Sequence, residues 1–364
     1  MREQDGTWVV EFLSEPRTSP QPLWFHLRCR SSDETEVRFE WVNADSCLGL
    51  GRREDLQRVR PVLRADDAGW RRTPAVGIEQ TEKGAHRLVF SSPGPCRRIS
   101  AAFCYPYGPS DLRATLEKAG EAWKEEVIGL SGHGRLLQRL HSSGLHEEAG
   151  CYVLARQHAG ETPGSWVLDG LLRAVAEADS SDPVRGVDWW VVPFMDLDGV
   201  VEGDYGKDAM PRDFNRAWTP MPMRPEVMSV QQDLRRFRSR AGARLLLDLH
   251  GPGGAEKAVY HFLPRNDRPR AHREAGMSFT SYLAGQLPEQ DVESIARVPT
   301  YPSRWSTDST ASTWVWDHLD ETLGICIETT YQGLEADRWM EPADYRRLGG
   351  RFARAAAEWL LDRR

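Results

Sequence analysis

The chain has 364 residues, of which 40% are hydrophobic and 28% charged, the makeup of a soluble globular protein with room for two domains and a sizeable core. A formal net charge of −7 and the lack of any Lys/Arg stripe interleaved with aromatics argue against a nucleic-acid binder. No apolar run approaches the roughly 20 residues that a membrane span needs, so no membrane partner is expected.

Met1 is followed by Arg2-Glu3-Gln4-Asp5-Gly6, with no apolar signal core. The six cysteines lie far apart and form no Cys-x-x-Cys. They read as reduced and buried, which fits a cytoplasmic location.

Residues 1–112 carry 16 basic and 16 acidic residues, so the whole charge of −7 resides in 113–364. In the first part, Trp8–Phe12, Trp24–Cys29, Glu36–Val42, Val59–Leu63, His86–Phe90 and Ile99–Cys104 are short, partly alternating runs. Gly, Pro, Ser and Asp clusters divide them, and the spacing predicts an N-terminal antiparallel β-sandwich.

The pattern changes at Tyr105-Pro-Tyr-Gly-Pro-Ser-Asp111. Ser110 or Asp111 can cap a helix running through Leu112, Leu116, Ala119, Trp123 and Val127. Strands and helices then alternate. Cys151–Ala155 is a buried strand, followed by a turn at Ala159-Gly160 and a helix that starts at Thr162-Pro163-Gly164 and covers Trp166 to Ala178. Val187–Phe194 is a nearly continuous apolar strand, Glu226–Arg240 a helix, Arg244–Leu249 a strand, Ile325–Ile327 a short strand and Asp344–Leu361 a closing amphipathic helix. That alternation predicts an α/β domain over 113–364 with a mixed central sheet and ligands gathered beyond the strand carboxyl ends.

Three strand ends carry chemistry. His158 and Glu161 leave the first together, and an imidazole with a carboxylate is an ordinary pair of zinc ligands. Alone the pattern is cheap, since His318-Leu-Asp-Glu321 repeats it. The second strand ends in Asp248-Leu-His250, before the Gly-rich turn Gly251-Pro-Gly-Gly254, which leaves open space for a ligand. His250 would complete His158, Glu161, His250 and a water, with Asp248 behind it. The plainer reading of His250 is a strand-terminal His with one hydrogen bond. The third strand end presents Glu328 directly after three apolar residues, where a carboxylate is costly unless used or paired. It is either a proton acceptor beside metal-activated water or the partner of one of the many Arg. Between them lies a long polar loop, Asp196 to Trp218. Its Asn215-Arg216 suits a carboxylate, and the alternative is that Arg212 and Arg216 pair with Asp198, Asp204 and Asp213.

Together these pieces resemble the zinc carboxypeptidase family, in its cytosolic-carboxypeptidase-like branch. His158-Ala-Gly-Glu161-Thr-Pro-Gly-Ser is similar to that branch's His-Pro-Gly-Glu-x-x-x-Ser motif, with Ala159 in place of Pro. Asp198-Gly-Val and Asn215-Arg216 resemble its Asp-Gly-Val … Asn-Arg block, Asp248-Leu-His250-Gly its third-ligand motif, and Glu328 falls where the catalytic Glu is found. The resemblance covers nearly the whole chain and includes a β-sandwich ahead of the peptidase domain.

It implies zinc at His158, Glu161 and His250, with zinc and Glu328 activating water against the last peptide carbonyl. Asn215 and Arg216 would hold the terminal carboxylate of a peptide or protein. Where the branch often has Gly-Asn-x-Arg, with the Arg assisting the oxyanion, this chain has Gly203-Asp-Tyr-Gly-Lys207; Lys207 or Arg212 is expected in that role. Tyr301 is the candidate for the Tyr that closes over the substrate, and Thr310 to Trp314 are expected along the specificity pocket. Polyglutamate removal is known in the branch, but the acidic charge of 113–364 argues against it here.

Two other readings compete. One is a zinc amidohydrolase or deacylase acting on a small N-acyl amino acid, against which the β-sandwich argues. The other is a non-catalytic binding protein, which would need no general base at Glu328.

Overall fold

The computed structural model describes residues 2–4, 6–82, 84–142, 149–239, 242–287, 295–297, 309–320, 322–334 and 338–363. Two sheets organise them. In the first, β1 (Arg2–Gln4), β2 (Thr7–Phe12), β3 (His26–Trp41), β8 (Cys96–Ala102), β4 (Val62–Ala65) and β5 (Arg71–Arg72) lie side by side in that order. β7 (His86–Ser91) also pairs with β3, and β6 (Gly77–Gln80) with β7.

The runs at Trp24–Cys29 and Glu36–Val42 are not two strands but parts of one, the 16-residue β3. Its first half pairs antiparallel with β8. Its second half pairs with β7 antiparallel and with β2 parallel, so a single strand carries the chain from one layer to the other. Val37, Phe39 and Trp41 alternate inward, as a half-buried strand requires. Phe39 stacks on Phe90 at 5.1 Å, Phe25 meets Trp41 at 5.0 Å, and Phe103 touches Tyr331 of the second unit at 5.2 Å.

The second sheet is mixed, as expected. Its order is β15 (Ala296–Arg297), β14 (Val259–Phe262), β16 (Leu323–Thr329), β13 (Ala243–His250), β11 (Ala149–Ala155), β12 (Asp188–Val192), β10 (Leu136–Ser142) and β9 (Trp123–Leu130). β12, β11, β13 and β16 run parallel, β9 and β10 pair antiparallel with their neighbours, and β14 pairs antiparallel with β16 but parallel with β15.

Helix α1 (Arg53–Gln57) sits in the first unit, and α2 (Pro109–Ala119) lies between the two sheets, so that residue 112 falls inside a helix. The helix expected through Trp123 and Val127 stops at Ala119. Gly120 adopts φ +60°, and Trp123 begins the hairpin of β9 and β10 instead.

Side chains of the central strands part to two faces with period two. Cys151, Val153, Leu245, Leu247 and Leu249 join a core with α3 (Thr162–Glu177), α6 (Arg270–Gln286) and α8 (Pro342–Leu361), continuous with that of the first unit. Tyr152, Leu154 and Leu246 pack with α5 (Pro225–Arg238) and α7 (Ala311–His318). By the same alternation Asp248, His250, Cys326 and Glu328 emerge on the α5/α7 side. α3 and α8 cross so closely that a Cβ at Gly170 would overlap the backbone of Arg346, and one at Gly349 that of Val167. The stretch 196–218 is not wholly loop: it holds α4 (Leu197–Glu202) and a 3-10 turn at Phe214–Arg216.

Candidate active site and metal centre

The site lies beyond the carboxyl ends of β11, β13 and β16. After β11 the chain turns through Arg156, whose φ is +60°. The Arg156 guanidinium is buried, donates to the carbonyls of Tyr107 and Ala159 and to Ser165 Oγ, and so pins the turn. Pro163 then falls in the first turn of α3, where its missing N–H costs nothing. His158 and Glu161 are thereby fixed on one side of the turn.

β13 and β16 pair so that His250 lies opposite Glu328. The ligand atoms of His158, Glu161 and His250 all lie within 4.8 Å of one another. His158 Nδ1 is 2.9 Å from Glu161 Oε1 and His250 Nδ1 is 2.8 Å from Glu161 Oε2.

The other ring nitrogens decide which atoms are free. His158 Nε2 faces Asp213 Oδ2 at 3.2 Å, and His250 Nε2 faces Asp248 Oδ2 at 3.0 Å. Each Nε2 thus faces a supporting carboxylate while each Nδ1 faces the shared point, so a metal at that point would bind through Nδ1 and leave Nε2 to donate outward. Two imidazole nitrogens and one carboxylate converging there, each imidazole held from behind by a carboxylate, is a donor set that fits zinc with one position left open.

The charges agree. Burial alone would lower the pKa of both imidazoles, but Glu161 and Asp213 raise that of His158, and Asp248 and Glu161 raise that of His250. Burial works against ionising Glu161, yet His158, Lys207 and His250 hold its carboxyl well below the usual range. A field that keeps protons on imidazoles is a field that attracts a cation.

Asp213 was missed as a ligand's support in the sequence, where it figured only as a possible partner of Arg. Its carboxylate also accepts the backbone N–H of Asp208 at 2.7 Å. Behind His250 runs a buried chain: Trp218 Nε1 donates to Gln157 Oε1 at 2.8 Å, and Gln157 Nε2 donates to Asp248 Oδ2 at 2.6 Å. Cys326 also stands near Asp248 and His250, with ligand atoms again within 4.8 Å of one another.

A cavity of about 370 Å³ opens on the site, lined among others by His158, Lys207, Asn215, Arg216, His250 and Glu328. Glu328 is buried, and its Oε2 has no hydrogen-bond partner among the described residues. Burial raises its pKa, Lys207 and His250 oppose, and the charge of Glu161 adds to the rise. A buried carboxylate with a raised pKa beside a cavity is a candidate for proton transfer.

Asn215 accepts the Ala311 N–H through Oδ1 at 3.1 Å, which orients Nδ2 toward His250 Nε2 at 3.2 Å. Arg216 is half-buried and donates to the Asn215 carbonyl at 2.7 Å.

Lys207 and Arg212 part company. Lys207 Nζ reaches Glu161 Oε1 at 3.1 Å, whereas Arg212 is exposed, donates to the Arg216 carbonyl and does not line the cavity. Tyr301 lies outside the described residues. Of the expected pocket stretch, Thr310, Ser312 and Thr313 line the cavity, while Trp314 is buried against Trp218.

The Gly-rich turn after His250 serves close packing more than open space. A Cβ at Gly251 would lie 2.9 Å from the Tyr331 ring and hydroxyl, and one at Gly254 would lie 2.8 Å from Leu23 and 3.2 Å from the Leu48 carbonyl.

No family model matches the chain. Cytosolic carboxypeptidase 6 of Caenorhabditis elegans is 24% identical over 63% of this chain and 54% of its own length. Cytosolic carboxypeptidase 2 of Danio rerio is 27% identical over 64% of this chain and 36% of its own. The chain thus spans about half or less of these curated relatives. A metallo-carboxypeptidase from Pseudomonas aeruginosa, solved with (2-guanidinoethylmercapto)succinic acid, matches over 99% of this chain and 96% of its own with a TM-score of 0.78 at 22% identity. The chain is thus similar in sequence to cytosolic carboxypeptidases and shares its fold with a metallo-carboxypeptidase.

Proposed function

We propose that the chain is a zinc-dependent carboxypeptidase that hydrolyses the C-terminal bond of a peptide or protein. One observation carries the reading: the His158–Glu161–His250 convergence and the unpartnered oxygen of Glu328 face the same cavity as Asn215 and Arg216. Zinc held by these three residues would supply a Lewis acid and bring a water's pKa down to about 7.

The chain's own groups then divide the work. Arg216 and the Nδ2 of Asn215 bind the terminal carboxylate and set the scissile carbonyl over the site. Glu328 takes the proton of the attacking water on Oε2 and returns it to the leaving amine nitrogen. Lys207, whose Nζ stands 3.1 Å from Glu161 Oε1 and which lines the cavity, would be the cation that offsets the developing oxyanion. Arg212 is too far out for that role and becomes a surface residue. The terminal residue's side chain enters between Thr310, Ser312, Thr313 and Cys326. Six free thiols and relatives named cytosolic support a cytoplasmic setting; among the described residues no helix is long and apolar enough to cross a membrane.

The test is mass spectrometry of a mixed peptide library incubated with the zinc-loaded chain. Loss of single C-terminal residues is expected, and the residue released reports the pocket. A stoichiometrically loaded chain that shortens no peptide but cleaves small N-acyl amino acids would overturn the reading in favour of a deacylase.

A further inference from the structure

Part of the cavity wall does not belong to the α/β unit. Gln21 and Leu48, from the first sheet's connections, line it together with Pro252 and Gly253. Both are half-buried, and both sit on backbone anchored to the site.

The segment before β3 is tied to the loop that carries Lys207. Thr18 Oγ1 donates to Asp204, Ser19 Oγ donates to the Lys207 carbonyl and Gln21 Nε2 donates to Asp208. Met210 N–H returns a bond to the Thr18 carbonyl at 2.9 Å. The loop bearing Leu48 is docked on the turn after His250: Gly254 N–H donates to the Leu48 carbonyl at 3.0 Å. Gly49, at φ +75°, comes so close that a Cβ there would lie 2.8 Å from Gly254 N and 2.9 Å from Gly253 Cα. Glycine alone allows that approach in that conformation.

We infer that Gln21 and Leu48 form the subsite for the stretch of substrate N-terminal to the scissile bond, which makes the substrate class an extended peptide tail rather than a small acylated amino acid. The inference rests on the carboxypeptidase reading and on the anchoring of this wall to the loops that carry Lys207 and follow His250. The terminal carboxylate occupies Asn215 and Arg216. The terminal side chain occupies the wall of Thr310, Ser312, Thr313 and Cys326. The remaining lining comprises Gln21, Leu48, Pro252 and Gly253, where the two units meet, and residues of the α/β unit such as Glu256, Tyr260, Arg265 and Arg268; the first group is assigned to the chain that leads in. An amide, an aliphatic side chain and two residues without charge suit a peptide main chain of any sequence, since an amide can meet a peptide group and the apolar contacts make no demand on side-chain charge. A one-residue acyl group would leave this wall unused.

The test compares two substrates that end in the same residue, a benzoyl-glycyl amino acid and a free pentapeptide, on the zinc-loaded full chain. Gln21→Ala and Leu48→Ala are each expected to raise KM for the pentapeptide roughly three- to tenfold, the worth of one hydrogen bond or a few buried methyl groups. For Leu48→Ala, kcat and both constants for the short substrate should stay within about twofold. Leu48→Met, which keeps the volume, should restore the pentapeptide KM. Equal changes on both substrates would reduce these residues to scaffolding, and no change on either would remove them from the site; both results overturn the inference. If the wild type cuts neither substrate, the carboxypeptidase reading fails on its own. Calorimetric binding of the pentapeptide to the zinc-loaded chain then decides the wall: affinity that falls in both alanine variants sustains it as a peptide subsite, and absent binding or unchanged affinity ends it.

Discussion

At the scale of single residues the proposed function assigns some groups to a metal and others to proton transfer, and substitution should separate them. Glu328→Gln keeps shape and hydrogen-bonding capacity but cannot take a proton. Zinc stoichiometry by elemental analysis should stay at one per chain, while turnover falls by about 10²–10⁴. Full activity in that variant would end the proton-transfer role. Asp213→Asn does the reverse. It leaves Glu328 alone and removes the charge that fixes the proton on His158 Nε2, so zinc affinity in a chelator competition should drop by about 10–100-fold. The three candidate ligands were legible in the sequence because each sits at a strand end, where position and neighbours are local. Asp213 was not, because its bond to His158 spans 55 positions and rests on the fold of the loop between. The choice between Lys207 and Arg212 was open for the same reason, and it turns on which side chain the loop directs inward.

Among the elements, α4 carries an expectation of its own. Its N-cap, Asp196, accepts the Gly199 N–H at 2.9 Å and is almost wholly buried. Burial pushes its pKa up to about 7, with the Gly199 N–H and Arg224 only partly opposing. The unfolded chain would ionise this group near 3.9. Between those values the folded state binds the extra proton, so its stability declines as pH rises from about 4 to 7 and stays low above. Asp196→Asn keeps the acceptor for Gly199 and drops the charge. It should be more stable than wild type above pH 7, by up to roughly 4 kcal/mol, with the gap closing below about pH 4 in urea melts at a series of pH values. A gap of the same size at every pH would contradict the account. Element boundaries were read well where apolar periodicity was long, as in α8. They failed where one pattern served two states: Leu112, Leu116, Ala119, Trp123 and Val127 fit a helix by spacing, but Gly120 breaks it and β10 offers a partner that no local signal announces.

For the whole molecule, we propose that residues 1–112 and 113–364 are two units that do not fold apart. The core around Phe39, Phe90 and Phe103 runs on without a gap into that of α3 and α8. Arg72 reaches across to the carbonyls of Tyr331 at 2.6 Å and Met340 at 3.0 Å. A chain beginning at Pro109 would expose Tyr331 and strip those carbonyls of their donor. It should be insoluble, or show broad non-cooperative urea unfolding and no stoichiometric zinc. A sharp unfolding transition with one zinc bound would make the first unit dispensable. Neither Arg72 nor the partnership of Gly49 with Gly253 and Gly254 could be read from the sequence, since both join residues some 200 or more positions apart. The sequence suggested two styles of structure but not that one would build a wall of the other's cavity.

Helix α8 follows the three candidate ligands by some 90 residues in the chain, yet it lies against α3 with backbone touching backbone at Gly170 and Gly349, and α3 begins at the residue after Glu161. A growing chain therefore presents all three candidate ligands by residue 250, long before the brace that seats the first two exists. Until α8 packs, the candidate ligands are side chains on an unfinished fold, without the brace that would align them around an ion. The order of the chain thus makes the candidate metal centre wait for α8.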